Sequence, residues 1–174
     1  MDISLIIIAI LLILILIFAL ATLIPLFAGL MRGAPYVPSN KHKLDIMLRF
    51  ADIQSGEKVI DLGSGDGRAV IAMAKIGAQA YGYEINPWLV WWSRYLIKKA
   101  GVQDKAKVYW RNFWKDSFSD YDAIILYLLP GTMVRLEEKL RKEAKPGCRI
   151  VSNAFVFVDW KPEKEEDRVY LYKK

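Results

Sequence analysis

Val59-Ile60-Asp61-Leu62-Gly63-Ser64-Gly65-Asp66-Gly67-Arg68 is the stretch on which the fold turns. It reads as a buried strand that runs into a tight, glycine-rich turn and then a helix. Gly63, Gly65 and Gly67 stand at alternate positions, which lets a backbone come very close to a bound group. In an open α/β sheet that group sits at the carboxyl end of the strand, near the point where strand order reverses. The stretch alone therefore points to a nucleoside-containing cofactor.

Downstream, strands and helices alternate. The pattern predicts a helix over Arg68–Ile76 closed by Gly77, a strand over Ala80–Glu84, and a helix opened by Asn86-Pro87 that stops at Gly101. In that helix Leu89, Trp92 and Leu96 form one stripe, so Trp92 is expected in the core and Trp91 outside. A tryptophan pair beside a membrane anchor could also touch the lipid interface. Further strands are expected at Ala106–Trp110, Ala123–Leu129, Arg149–Val158 and Val169–Tyr172. A helix is expected at Thr132–Glu143, and Lys161–Asp167 reads as a charged, exposed connection. The expectation is an α/β domain with a doubly wound, mostly parallel sheet. The last connection is too short for a helical crossover, so the final strand should pair antiparallel.

Upstream, Lys41–Ile53 places Leu44, Met47, Leu48 and Ala51 at helical spacing. Its His42, the chain's one histidine, reads as a solvated surface residue. Before it lies a linker, Met31–Asn40, with Gly33, Pro35 and Pro38. The chain has 174 residues, of which 54% are hydrophobic, and the excess comes from Ile3–Ile24, a run without charge. Such a run can cross a hydrocarbon core of about 30 Å as a helix. The division read from sequence is an anchor over 1–30, a linker over 31–40 and one domain over 41–174. A cleaved leader is disfavoured by the acid at Asp2 and the length of the run. Arg32, Lys41, Lys43 and Arg49 follow the span, which places the domain on the cytoplasmic side of a single-pass protein. The single cysteine, Cys148, excludes an internal disulfide. The net charge of +6 is spread along the chain and suits a domain near anionic lipid. No RNA-binding appendage accompanies it, so nucleic acid is not the expected partner, and no metal is expected.

The chemistry of the turn is more specific than its shape. A dinucleotide fingerprint, G-x-G-x-x-G/A, needs a small residue at position 68, where this chain has Arg68. The spacing instead is an acid, Asp61, followed by glycines at 63, 65 and 67. It resembles the first motif of the Rossmann-like S-adenosylmethionine-dependent methyltransferases. Asp61 and Asp66 would repel a pyrophosphate, which wants a clean helix N-terminus, but suit a sulfonium and an α-ammonium. Glu84 ends the second strand about 20 residues on, placed to accept from both ribose hydroxyls.

The resemblance narrows further. Tyr36-Val37-Pro38-Ser39, Asp61 to Arg68, Gly82-Tyr83-Glu84-Ile85-Asn86-Pro87-Trp88-Leu89-Val90, Phe113-Trp114-Lys115, Leu129-Pro130 and Phe157-Val158-Asp159-Trp160-Lys161-Pro162 are similar to the small membrane-anchored protein-lysine methyltransferases. That family includes the enzymes for adenine nucleotide translocase and the ATP synthase c-subunit, with archaeal and bacterial relatives. The resemblance implies S-adenosyl-L-methionine as cofactor and a protein lysine, at or near a membrane, as acceptor. It places Tyr36 and Ser39 at the cofactor or substrate edge. Asp61, Gly63, Ser64, Gly65, Asp66, Gly67, Glu84, Ile85, Asn112 and Phe113 are the further candidates for holding the cofactor. Asn112 departs from the family, which usually has an acid there.

Transfer to lysine requires a neutral amine, so an apolar, aromatic slot is expected beside the methyl group. Tyr36, Tyr127, Leu129, Pro130 and Trp160 are its candidates; no dedicated base stands out beyond Tyr127 and Asp66. A small-molecule or lipid methyltransferase, and a non-catalytic membrane scaffold of the same fold, are the alternatives. In a eukaryotic host the membrane could be the mitochondrial inner membrane.

Overall fold

The computed structural model describes residues 3–32 and 38–174, with residues 25–32 as backbone. Among the described residues there are five α-helices: α1 (Ile3–Arg32), α2 (Lys41–Ala51), α3 (Arg68–Ile76), α4 (Pro87–Lys99) and α5 (Pro130–Glu143). The strands are β1 (Lys58–Leu62), β2 (Gln79–Glu84), β3 (Ala106–Trp110), β4 (Ala123–Leu126), β5 (Arg149–Asn153), β6 (Lys164–Glu166) and β7 (Val169–Lys173).

They make one sheet in the order β3-β2-β1-β4-β5-β7-β6. The first five strands in that order run parallel, and β7 lies antiparallel to both β5 and β6. The doubly wound sheet with an antiparallel last strand is as expected. Chain order reverses between β1 and β4, so the crevice of this sheet opens at the carboxyl end of β1.

Side-chain alternation along the parallel strands builds two cores. Val59, Ala80, Val108, Ala123, Ile125 and Val151 face a layer of three helices, with Ile46 and Phe50 from α2, Val70 and Met73 from α3, and Val90 and Ile97 from α4. Ile60, Leu62, Ile124, Leu126 and Ile150 face the other way. They meet Met133, Leu136 and Leu140 of α5 together with Phe113, Phe118 and Phe157. Each fully buried Leu, Ile or Phe contributes about 1.5–3 kcal/mol, so the strand parity fixes the register of the whole domain.

Several boundaries differ from the sequence reading. β4 stops at Leu126, not Leu129, because Leu129 caps α5 and Pro130 is its first residue. β5 stops at Asn153, not Val158, because Ala154 takes a left-handed φ of 71° and turns the chain off the sheet. Lys164–Glu166 is a strand instead of a plain connection; its charges suit the edge of the sheet. Helix α1 runs on to Arg32, into the segment read as linker.

In α4 the buried residues are Val90, Ser93 and Ile97. Trp92 is 43% exposed, so the stripe Leu89-Trp92-Leu96 is not the one that packs on the sheet. The helix is apolar on more than one side, and it turns its small and β-branched face inward, where Gly67 comes close. A Cβ at Gly67 would stand 2.9 Å from the Cβ of Ser93, a contact that bulky aromatics could not fit. Of α1, Ile3–Ile24 is long and apolar enough to cross a membrane, and none of it is buried against the domain.

Candidate active site

Strand parity brings the acids of the site together. Asp61 shares the side of Val59, and Glu84 the side of Ala80, facing the three-helix layer at the carboxyl ends of neighbouring strands. Between them the backbone turns over itself. Gly63, Gly65 and Gly67 take φ of 79°, 53° and 78°, values that cost a side chain about 1 kcal/mol or more. The N–H groups of Gly63 and Ser64 donate to the carbonyl of Tyr83 at 2.9 and 3.1 Å, and that of Gly67 to the carbonyl of Ser64 at 2.8 Å. The turn is thus bolted to the end of β2. Gly82 is required below it: a Cβ there would meet Ser64 Oγ at 2.6 Å.

Glu84 completes the cradle. Its Oε2 accepts from the N–H of Gly65 at 3.0 Å and its Oε1 from the N–H of Asn86 at 2.8 Å. Each oxygen keeps lone-pair capacity for one more donor. Asp61 is buried, and among the described residues no hydrogen bond reaches its carboxylate. Burial, then the charge of Glu84, then that of Asp66, push its carboxyl up to about 8. Ser64 Oγ is likewise buried without a partner among the described residues. Unpartnered buried polar atoms inside an acidic, glycine-walled turn are the chemistry of a site for a cationic, hydroxyl-bearing ligand.

Ser39, the serine before the domain, lies at this turn. Arg68 donates from its guanidinium to the Ser39 carbonyl at 2.9 Å and grips Asp66 at 2.8–3.1 Å. The Ser39 hydroxyl accepts from Asn153 Nδ2 at 3.2 Å. The residue that spoils the dinucleotide fingerprint therefore ties the approach segment to the turn. Tyr36 lies outside the described residues. Asn153, buried at the end of β5, was missed from sequence; a polar residue closing the buried run Ile150–Ser152 at the strand's carboxyl end was its signal.

At the other side of the turn, Glu84 pairs in register with Trp110, and the N–H of Arg111 donates to the Glu84 carbonyl at 2.9 Å. This sets Asn112 and Phe113 beside Glu84 and Ile85. Asn112 caps a short 3-10 turn, Phe113–Lys115, by accepting from the N–H of Trp114 at 3.1 Å. Phe113 is buried against Trp114.

Of the slot residues, Leu129 and Pro130 are brought to the turn through their neighbour Leu128, whose Cδ2 stands 3.1 Å from where a Cβ of Gly63 would be. Tyr127, directly after β4, stacks on Phe155 with ring centroids 6.5 Å apart. Trp160 does not join them. It packs on Phe157 and Tyr172 at 5.7 Å each, under the Arg141 guanidinium at 4.8 Å. Arg141 lies eleven residues along α5 from Pro130, about 16 Å, and Tyr172 pairs with Ile150 near the start of β5. Trp160 is therefore a packing residue at the far end of the sheet.

The profile of the family described as "ANTKMT methyltransferase domain" matches residues 61–164. The mouse lysine N-methyltransferase named for the c-subunit of ATP synthase is 42% identical over 129 residues, 74% of this chain and 52% of that protein. The chain thus spans about half the length of the vertebrate relatives. A protein-lysine N-methyltransferase of Saccharolobus islandicus is 36% identical over 148 residues, 79% of this chain and 92% of that one. Among solved structures, an RNA methyltransferase from Salinibacter ruber in complex with S-adenosyl-L-homocysteine superposes with a TM-score of 0.76 at 36% identity. It covers 79% of this chain and 93% of that one.

Proposed function

The chain belongs to the family of the ANTKMT methyltransferase domain, and from that premise we propose that it transfers methyl groups from S-adenosyl-L-methionine to the side-chain amine of a lysine in a protein at or near a membrane. The observation that carries this reading is the acidic glycine turn, in which Asp61, Asp66 and Glu84 surround a backbone fitted for close approach. The names of the relatives support lysine as the acceptor.

S-adenosyl-L-methionine supplies an electrophilic methyl group on a sulfonium whose thioether leaves without protonation. The chain's part is to bind, align and exclude water. Glu84 takes the ribose hydroxyls on the lone pairs that Gly65 and Asn86 leave free. Asp61 and Asp66 offset the positive charges of the cofactor, and a cation at Asp61 brings its carboxyl back toward the ordinary range. Gly63, Ser64, Gly65 and Gly67 form the wall that the amino-acid portion lies against, with Ser64 Oγ as an available partner. Ile85, Phe113 and Asn112 border the adenine. Ser39, held by Arg68 and Asn153, closes the edge, a role that the Tyr36-Val37-Pro38-Ser39 motif assigns to Tyr36 as well. Tyr127, Leu129 and Pro130 line the lysine slot, where low polarity favours the neutral amine. Helix α1 serves as a single-pass anchor with the domain on the cytoplasmic side, or on the mitochondrial inner membrane in a eukaryotic host.

The test supplies labelled cofactor to membranes from cells lacking the gene, adds the purified protein, and separates protein, lipid and RNA. Label in protein, mapped by mass spectrometry to lysine and absent with Glu84→Ala, is the expected result. Label in RNA, the acceptor class for which the Salinibacter protein is named, or in lipid would replace the acceptor and leave the cofactor assignment standing.

A further inference from the structure

Helix α4 turns Val90, Ser93 and Ile97 to the sheet. Its outer side carries Trp88, Trp91, Trp92 and Tyr95, spaced i, i+3, i+4 and i+7, which is one face of a helix. They are 53, 61, 43 and 48% exposed. Their rings form a continuous chain, with centroids 6.1, 6.4 and 5.3 Å apart in sequence order. Scattered exposed apolar residues are ordinary, but a contiguous aromatic stripe marks a surface that meets something.

Two observations identify what it meets. The first is charge: α4 carries Arg94, Lys98 and Lys99, all exposed, and no acid. The second is continuity with α1. Trp88 Nε1 lies 3.4 Å from the carbonyl oxygen of Ala21, on the helix whose apolar run begins at Ile3. Ala21 is about 27 Å along the helix axis from Ile3, close to the roughly 30 Å of hydrocarbon that such a span crosses. This is the depth at which Trp and Tyr concentrate in membranes, their rings among acyl chains and their N–H or O–H groups among headgroups.

We propose that the outer face of α4 is a membrane-binding surface, resting on an anionic bilayer into which α1 inserts. Trp88, Trp91, Trp92 and Tyr95 sit at the headgroup–acyl boundary, and Lys98 and Lys99 meet lipid phosphates. A single helix tethers a domain and leaves it free to rotate; a second contact sets its orientation. Because α4 begins three residues after Glu84, the contact fixes the direction in which the strand ends and their acidic turn face. The proposal requires α1 to enter the bilayer and is independent of the acceptor.

The chain suits a direct test. Its six tryptophans are Trp88, Trp91, Trp92, Trp110, Trp114 and Trp160, so α1 contains none and indole emission reports on the domain alone. The full chain is reconstituted into vesicles of phosphatidylcholine and phosphatidylglycerol, with the phosphatidylcholine either ordinary or brominated high on its acyl chains. Emission should be lower in the brominated vesicles, and the difference should vanish in W88Q/W91Q/W92Q, which keeps the other three. It should also shrink when phosphatidylglycerol is omitted. Equal emission in the two vesicle types overturns the proposal, as does a difference that the triple variant retains undiminished. If emission is equal yet the triple variant loses methylation of a protein acceptor, the stripe docks protein and the proposal is likewise overturned. Should the triple variant fail to fold, the wild-type comparison between vesicle types decides alone.

Discussion

The segments after β1 and after β5 leave the same edge of the same sheet, yet different physics shapes them. The first, Gly63–Gly67, is held by its backbone: three left-handed glycines and hydrogen bonds to Tyr83 set its path, and beside it lie the buried Asp61 carboxylate and Ser64 Oγ, which no hydrogen bond reaches among the described residues. The second, Ala154–Trp160, is held from outside. Buried Glu137 of α5 accepts from the N–H groups of Val158 and Asp159 at 2.8 and 3.1 Å and from Arg141 Nε at 2.9 Å. The Tyr172 hydroxyl accepts from the N–H of Phe157 at 3.1 Å. One segment keeps polar groups available for a ligand; the other has the N–H groups of Phe157, Val158 and Asp159 partnered by side chains. Damage to the first should therefore cost binding, and damage to the second should cost stability.

The largest expected effect follows. Glu84→Ala removes the acceptor for two ribose hydroxyls, and hydrogen bonds to a charged group contribute about 1.5–3 kcal/mol each. Affinity for S-adenosyl-L-methionine, read by calorimetry, should fall about 100-fold or more. Affinity within a factor of about two of wild type would remove Glu84 from the site.

Glu137→Ala should do the reverse. It strips two backbone N–H groups and Arg141 of their acceptor in a buried place, which costs about 2–3 kcal/mol of folding stability. Urea unfolding should register that loss while the cofactor affinity of the folded protein stays as it was. A variant as stable as wild type would mean that the segment after β5 is not organised by Glu137.

This contrast also explains what could be read beforehand. The glycine turn was legible because its chemistry is local: alternate glycines, the acid before them and the arginine at position 68 each have meaning without knowing the fold. The segment after β5 was not, since Phe157 and Val158 look like a continuing strand, and only Glu137, twenty residues earlier in the chain, says otherwise. Trp160 was drawn to the slot by its family motif, though its neighbours Arg141 and Tyr172 belong to elements whose packing no motif records. In α4 the periodicity pointed to the stripe of Leu89, Trp92 and Leu96, whereas Val90, Ser93 and Ile97 pack inward, where Ser93 meets Gly67 in a tertiary contact that no local pattern records.

The acidic turn should also declare itself through pH. The Asp61 carboxyl, ordinarily near 3.8, is raised to about 8 in the fold by burial, Glu84 and Asp66. Unfolding returns it to the ordinary range, so between about pH 4 and about pH 8 the folded state holds a proton that the unfolded state lacks. Stability of the cofactor-free protein due to this group is thus full at the acid end of that window, falls as pH rises through it, and levels off above. Asp61→Asn should flatten this part of the profile and leave the variant the more stable of the two near about pH 9. Identical slopes in wild type and variant, measured by urea unfolding across the window, would show that Asp61 does not titrate there.

The smallest effect is expected at Trp160, and it separates the two segments most sharply. A residue lining the lysine slot should change turnover when its ring is lost. A residue stacked on Phe157 and Tyr172 beneath Arg141 should change only packing. Trp160→Phe keeps an aromatic ring and gives up part of the buried surface and the cation–π contact, a cost of about 1 kcal/mol. Thermal unfolding should move down by a few degrees, while kcat and cofactor affinity remain those of wild type. A fall in kcat with unchanged stability would return Trp160 to the slot, and the path of the chain beyond Ala154 would then have to bend toward the glycine turn instead of along α5.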